Sequence, residues 1–223
     1  MIAKKFESYR DNEEIVIFAS GVSDSSNTDA VAFKRELNLI LETIKNNKGK
    51  LFVYFSTCSI SDRSMLRSSY VCHKVKMEDF ILGHCPKFLI FRITNPIGHT
   101  NNTHTVVNYF IKNIIEKHKF DVWEKASRNI IDLDDMYLIC NEILLKNMFT
   151  NSIVNIANPK NYSVLYIIQC IEKHFGINGN YSLVDKGGGP VIDTGTVDSL
   201  YAAFNIHFTD DYLPKLLQKY FNK

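Results

Sequence analysis

The stretch that decides the fold is Leu51-Phe52-Val53-Tyr54-Phe55-Ser56-Thr57-Cys58-Ser59, followed after a short polar connection by Tyr70-Val71-Cys72-His73-Lys74. The first part is rich in aromatic and β-branched residues and reads as a buried strand ending in a hydroxyl cluster. The second opens a helix, on which Tyr70 and Lys74, four apart, share one face. A phenol ionises near a pKa of about 10 and relays protons poorly at neutral pH. An ammonium beside it favours the phenolate and is expected to bring Tyr70 toward the working range. Thr57, at the strand end, is placed to hold a substrate oxygen next to that phenol. Together the three groups make a site for moving a proton at a carbinol or carbonyl. Roughly one Tyr-x-x-x-Lys arises by chance on this composition, and an ordinary amphipathic helix accounts for the pair taken alone. The strand ending in Ser-Thr just upstream favours the site, because two of its parts then occur in the right order.

Outward from this stretch, the chain alternates. Residues 2–9 read as a short helix. Residues 14–19 (EIVIFA) form a short apolar run, suited to a buried parallel strand. Thr28 or Asp29 caps a helix reaching about Asn46, with Val31, Leu37, Ile40, Leu41 and Ile44 as its apolar stripe. Further strands are expected at residues 88–93, 120–123, 128–133, 152–158 and 181–184. Helices are expected at residues 70–82 and 105–117, from Asp134 or Asp135 to about Lys146, at residues 164–175 behind a Ser163 cap, and at residues 211–221. Strand and helix alternating in this way imply βαβ units and a parallel sheet covered on both faces, with ligands at the carboxyl ends of the strands.

The 223 residues, 45% of them hydrophobic, suit one large domain or a domain with a small appended lobe. A net charge of +2 gives no case for nucleic acid or an acidic membrane surface. Cys58, Cys72, Cys85, Cys140 and Cys170 are scattered, with no C-x-x-C pair, so reduced thiols in a cytoplasm-like compartment are expected. No apolar run approaches the roughly 18 residues of a membrane span, and the first ten residues are too charged for a signal peptide. The histidines show no metal-ligand spacing, and the neighbouring His99 and His104 are not assigned a metal.

Four segments in order resemble the extended short-chain dehydrogenase/reductase family, in its nucleotide-sugar epimerase/dehydratase branch. Residues 52–60 look like the family strand that ends in the active-site Ser/Thr, with Thr57 in that place. Tyr70 and Lys74 match its Tyr-x-x-x-Lys. Arg92-Ile93-Thr94-Asn95-Pro96-Ile97-Gly98 looks like its Arg-x-x-Asn-x-x-Gly segment. Arg128-Asn129-Ile130-Ile131-Asp132-Leu133-Asp134-Asp135 looks like its Arg-Asp-x-x-x-x-Asp-Asp segment. The resemblance implies an α/β, Rossmann-like parallel sheet with helices on both faces and a small C-terminal α+β substrate lobe. Residues 1–96 and 124–150 would form the cofactor-binding core, and residues 97–123 and 151–223 the substrate-binding lobe.

By the same resemblance, Tyr70 would be the acid/base and Thr57 would bind the reacting oxygen. Lys74 would hold the nicotinamide ribose of NAD or NADP. Ala19, Ser20 and Gly21 would line the cofactor, and Asn95 and Arg128 would contact the nucleotide-diphosphate end of the substrate. A turn-forming Asn95 and a surface ion pair between Arg128 and Asp132 or Asp134 remain alternatives. The helix after Asp29 and the Tyr70 helix would pair with their copies in a homodimer, although Phe33, Leu37 and Met77 suit burial within one subunit equally well.

The sequence also departs from the family. The family's first strand and glycine-rich turn are not in it, and Met1 looks like the start of the helix after that turn. A complete gene product is therefore expected to begin about ten residues upstream. The residues before Glu14 are too few for the usual second and third strands, so NAD and NADP are not distinguished. The link from Thr57 to Tyr70 is short for the family. Gly187-Gly188-Gly189-Pro190 lacks the Gly-Lys-Ser/Thr of a phosphate loop and reads as a mobile turn ahead of Asp193. Only Asp62 lies near Thr57, so an epimerase or 4-keto reductase is favoured over a dehydratase. The alternative is a non-catalytic relative that has lost cofactor binding.

Overall fold

The computed structural model describes residues 1–100, 102 and 105–221, so His104 lies outside the described residues. Its centre is a four-stranded, fully parallel sheet. Strand β1 (Ile15–Phe18) pairs with β2 (Leu51–Thr57), β2 with β3 (Phe88–Ile93), and β3 with β7 (Ser152–Ile156). The register sets Ser56 opposite Arg92 and Thr57 opposite Ile93, so the hydroxyl cluster sits at the carboxyl edge.

Every residue of β2 is buried, because helices cover both faces of the sheet. Side chains alternate between the two faces. Leu51, Val53 and Phe55 join Leu89, Phe91 and Ile93 in one core, closed by Met136, Ile139 and Ile143 of α5 (Leu133–Leu145). Phe52, Tyr54, Phe88 and Ile90 form the other core. It is closed by Ile40 of α2 (Ala30–Asn46) and by Met77 and Ile81 of α3 (Ser69–His84). Met77 is thus buried inside the subunit, which removes it from the surface expected to pair two copies. Asp29 is the cap of α2, its side chain accepting from the Val31 amide.

The second lobe has its own core. Strand β4 (Asn95–Ile97) runs parallel to β6 (Ser127–Asp132), which pairs antiparallel with β8 (Asn161–Ser163). Strand β5 (Lys119–Trp123) pairs in parallel with β9 (Asn180–Val184). Helices α4 (Val106–Ile115), α6 (Val164–Phe175) and α8 (Tyr212–Tyr220) pack on them through Ile114, Ile167, Ile171, Leu213 and Leu217. Helix α7 (Asp198–Ala203) instead contributes Leu200 and Tyr201 to the first core. At the N-terminus, the helix expected over residues 2–9 divides into α1 (Ile2–Lys5) and a separate turn at Glu7–Tyr9. Residues 152–156, grouped by sequence with the substrate lobe, complete the parallel sheet through β3. No described helix is long and apolar enough to cross a membrane.

The cap of α5 is Asp132, not Asp134 or Asp135. Asp132 leaves β6 with extended backbone, and its carboxylate accepts from the Asp134 amide at 2.8 Å. The same buried carboxylate receives Lys219 Nζ at 2.8 Å and the Tyr220 hydroxyl at 2.6 Å, tying α8 to the junction of the two lobes. Asp132→Ala is expected to cost about 2–4 kcal/mol, the sum of a lost cap and lost charged hydrogen bonds. Asp134→Ala, at a more exposed position, should cost about 1 kcal/mol or less. Urea unfolding of the two variants checks this, and equal midpoints would contradict it.

Candidate active site

Ser68 caps α3, its hydroxyl accepting from the Val71 amide at 3.1 Å, and this sets Tyr70 in the first helical turn beside the end of β2. Thr57, at the end of β2, lies near Tyr70. Thr57 Oγ1 accepts from the Ser59 amide at 3.1 Å. Tyr70 is only 7% exposed. It belongs to a small cluster with Val22 and Val71, against which Phe33, Ile60 and Met65 pack. Burial pushes its hydroxyl up to about 12. The Thr57 contact pulls the other way, and the negative charges of Glu36 and Asp24 add to the rise. This is the reverse of the effect expected from Lys74.

Burial is the main cause, and the expected partner, Lys74, is engaged by other groups. Its ammonium lies 3.0 Å from Glu36 Oε1 and 3.0 Å from the Tyr54 hydroxyl, and 5.9 Å from the centre of the Tyr70 ring. Glu36, on α2, is fully buried and holds four donors. Oε1 accepts from Tyr54 at 2.6 Å and from Lys74. Oε2 accepts from the Val22 amide at 2.7 Å and meets His73 Nε2 at 2.9 Å. Burial by itself would raise this carboxyl. Its contacts with His73, Lys74, Tyr54 and the Val22 amide overcome that and hold it down at about 2. Burial likewise pulls the Lys74 ammonium below its ordinary value, against a carboxylate that favours its charge. Phe33 stacks on His73, ring centres 4.3 Å apart.

Gly21 is part of this packing. A Cβ there would come within 2.7 Å of Glu36 Oε1 and 2.9 Å of Lys74 Nζ, so no larger residue fits without displacing the pair. Ala19 and Ser20 precede it at the carboxyl end of β1, Ala19 packed against the first core and Ser20 exposed.

An open cleft of about 500 Å³ lies between the loop after β1 and the second lobe. Asp24, Tyr109, Asp121, Trp123 and Arg128 line it. Arg128 is half-buried, with Nη1 donating to the Ser127 carbonyl at 2.8 Å. Burial lowers its pKa, opposed by the nearby Asp62 carboxylate. Neither Asp132 nor Asp134, the expected ion-pair partners, receives it; those carboxylates hold Lys219. Asn95 is placed differently. Its side-chain amide donates to the Asn129 carbonyl at 2.8 Å, and it lines only a narrow cleft of about 10 Å³. Asn95 and Arg128 thus line different clefts, although pairing of β4 with β6 sets Asn95 beside the strand that carries Arg128.

Asp62 is buried and accepts from the Ser64 amide and hydroxyl at 2.9 and 2.6 Å. The glycine run lies along β6. The Ser127 amide donates to the Gly188 carbonyl at 3.0 Å, and a Cβ on Gly187, at φ +110°, would meet Ala126 at 2.6 Å. Its glycines thus serve close approach to the strand that carries Arg128. Asp193 caps a turn, accepting from the Gly195 amide at 2.9 Å.

The sheet and its covering helices are Rossmann-like, as in nucleotide-sugar epimerases and dehydratases of known structure. The UDP-glucuronic acid 4-epimerase of Bacillus cereus, solved with UDP-glucuronic acid and NAD, superposes with a TM-score of 0.74 at 17% identity, covering 96% of this chain and 76% of that one. The dTDP-glucose 4,6-dehydratase of Bacillus anthracis, solved with NAD, gives 0.71 at 13% identity, covering 97% and 76%. The RMD protein of Pseudomonas aeruginosa, complexed with NADPH, gives 0.68 at 15% identity, covering 92% and 80%. A search of curated protein sequences finds no match. Residues 2–157 match the NAD dependent epimerase/dehydratase family, and the chain belongs to that family.

Sequence reasoning missed Glu36, Tyr54 and His73. One signal was present: Glu36 falls on the inward face of α2, three residues from Phe33 and four from Ile40, where an apolar residue is expected. The Glu36 carboxyl is held at about 2 in the folded chain, against an ordinary 4.5. Below about 4.5 the unfolded chain takes up a proton there that the folded chain does not. Its contribution to stability is thus complete above that value and is lost as pH falls toward 2. Thermal unfolding between pH 6 and about 2.5 should show Tm falling steeply for the natural chain and less steeply for Glu36→Gln. Parallel curves would contradict this.

Proposed function

We propose that the protein is an NAD(P)-dependent epimerase or 4-keto reductase acting on a nucleotide-linked sugar, with Tyr70 as acid/base. The observation that carries this reading is the placement of Thr57 at the carboxyl edge of β2 and of Tyr70 in the first turn of the helix beside it, in a chain of this family. Thr57 would hold the reacting oxygen and Tyr70 would exchange its proton. The bound nicotinamide would supply or accept the hydride at the sugar carbon.

The residues present fit the ribose end of such a cofactor. Among the described residues, Ser56 Oγ is the buried side-chain polar atom without a partner. It follows Tyr54 on the same face of β2, toward α3. Lys74, with two acceptors in place, keeps a third N–H for a ribose hydroxyl. Ala19, Ser20 and Gly21 lie on the loop beside them. Arg128 at the cleft suits a diphosphate, its fork matching phosphate oxygens, and Tyr109 and Trp123 offer rings to a base. Asn95, whose amide donates one N–H to the Asn129 carbonyl, keeps its side-chain oxygen for the substrate's nucleotide-diphosphate end. With a single buried Asp62 near Thr57, epimerisation or reduction is favoured over dehydration.

We assign residues 1–96 and 124–150, with β7 added, to the cofactor core and the remainder to the substrate lobe. A homodimer through α2 and α3 is supported by the exposed Val31, Leu41 and Leu82 on those helices. Five free cysteines support a reducing, cytoplasm-like compartment.

A second reading, a non-catalytic relative that binds without turnover, is favoured by the packing of Tyr70 and by the commitment of Lys74 to Glu36. Cofactor binding separates the two. On the catalytic reading, Tyr70→Phe keeps NAD(H) or NADP(H) binding and loses about 10²–10⁴-fold in turnover. If the natural chain binds neither cofactor, the non-catalytic reading replaces it. Trp123, the single tryptophan of the chain, reports on the cleft. UDP-, dTDP- or GDP-linked sugars should change its fluorescence, and Arg128→Met should weaken that binding about tenfold or more. Unchanged emission with all three would remove the nucleotide-sugar assignment.

A further inference from the structure

We propose that Asp121 selects the base of the nucleotide-linked substrate, and that the base it selects is guanine. The proposal deepens the nucleotide-sugar reading and rests on it, and its test separates the two.

Strand β5 alternates, with Phe120 and Val122 buried in the second core and Lys119, Asp121 and Trp123 turned outward. Asp121 and Trp123, two residues apart, therefore stand side by side on one face, and both line the cleft of about 500 Å³. Pairing of Asp121 with Ser182 and of Trp123 with Val184 on β9 holds the backbone beneath them. Trp123 is 45% exposed, and among the described residues its ring meets no other aromatic ring. Tyr109 of α4, equally exposed, brings a second ring to the same cleft. The Asp121 carboxylate receives no hydrogen bond or ion pair among the described residues.

The two carboxylates of the cleft are not equivalent. Asp24 belongs to the loop after β1, where its Oδ1 accepts from the Ser26 amide and hydroxyl at 2.9 and 2.7 Å. Its charge acts on the Tyr70 hydroxyl, so it stands toward the reacting end. Asp121 comes from the second lobe, beside the open indole and with Arg128 on the next strand. A diphosphate on Arg128 thus has a carboxylate and two rings within the same cleft to receive its base.

The choice of base follows from donors and acceptors. A carboxylate accepts hydrogen bonds and gives none. The Watson–Crick edge of guanine offers two adjacent donors, N1–H and the 2-amino group, which the two carboxylate oxygens receive as a fork. Uracil and thymine offer one donor there, N3–H, between two carbonyl oxygens that repel a carboxylate. Adenine sets a bare ring nitrogen beside its amino group. The two fused rings of a purine also cover more of an indole than a pyrimidine does.

Isothermal calorimetry of the full chain with GDP, IDP, UDP and dTDP tests this. GDP should bind at least about tenfold more tightly than UDP or dTDP. IDP, which keeps N1–H and lacks the 2-amino group, should fall between them. Asp121→Ala, at an exposed position whose side chain takes no part in strand pairing, should weaken GDP binding about tenfold and leave UDP within about twofold. UDP or dTDP binding as tightly as GDP overturns the choice of base and leaves the nucleotide-sugar reading standing. A preference for GDP that survives Asp121→Ala overturns the role of Asp121. Binding of none of the four removes the nucleotide-sugar reading, and this proposal with it.

Discussion

One buried carboxylate joins the parts of this molecule on which its chemistry depends. Glu36 brings α2, the loop after β1, the central strand β2 and helix α3 to a single point, through donors from Val22, Tyr54, His73 and Lys74. An ionised carboxylate removed from water is stable only when its lone pairs are met, and here both oxygens are. Gly21 supplies the room, since any side chain at that position would press on the carboxylate and the ammonium together. The loop that would face a dinucleotide and the lysine that would touch its ribose are therefore held by the same group.

The rest of the architecture can be followed from that point. Leu51–Thr57 is buried on both faces, so its strand end is carried to the sheet edge with little freedom to move. The Ser68 cap fixes where α3 starts, and thereby where Tyr70 stands relative to Thr57. A second buried carboxylate, Asp132, does the corresponding work where β6 meets α5 and α8. It starts α5 and holds Lys219 and Tyr220 of α8, so the lobe bearing the cleft is bound to the core that carries Thr57. Arg92 adds a further tie between sheet and helix, its guanidinium forked on Glu78 of α3 at 3.0 and 2.5 Å.

Much of this was legible in local pattern. Apolar runs of strand length at Ile15–Phe18, Leu51–Thr57 and Phe88–Ile93 could be assigned because burial on both faces leaves no polar alternation to confuse them. The caps at Asp29 and Ser163 followed from residue type and position. The α5 cap did not, because three acidic residues stand in sequence at Asp132, Asp134 and Asp135. Only the extended backbone of Asp132 and the reach of α8 single it out. Asn95 and Arg128 looked alike as substrate contacts. The structure sets them at different clefts, the Asn95 amide donating to a backbone carbonyl.

What the sequence determined by itself is the family's order of parts: a strand ending in hydroxyls, a Tyr and a Lys one helical turn apart, and parallel units around them. Spacing along one element is a local property, and helix and strand periodicity translate it directly into shared faces. The tertiary structure alone decided which partner the lysine takes. A charge shared among Tyr54, Glu36 and Tyr70 is settled by distances between three elements far apart in sequence, and by how deeply each group is removed from water. Neither quantity is written in a motif. The phenol that the lysine was expected to bring down stands raised in this packing, chiefly because burial removes it from water, with the Glu36 charge adding to the rise.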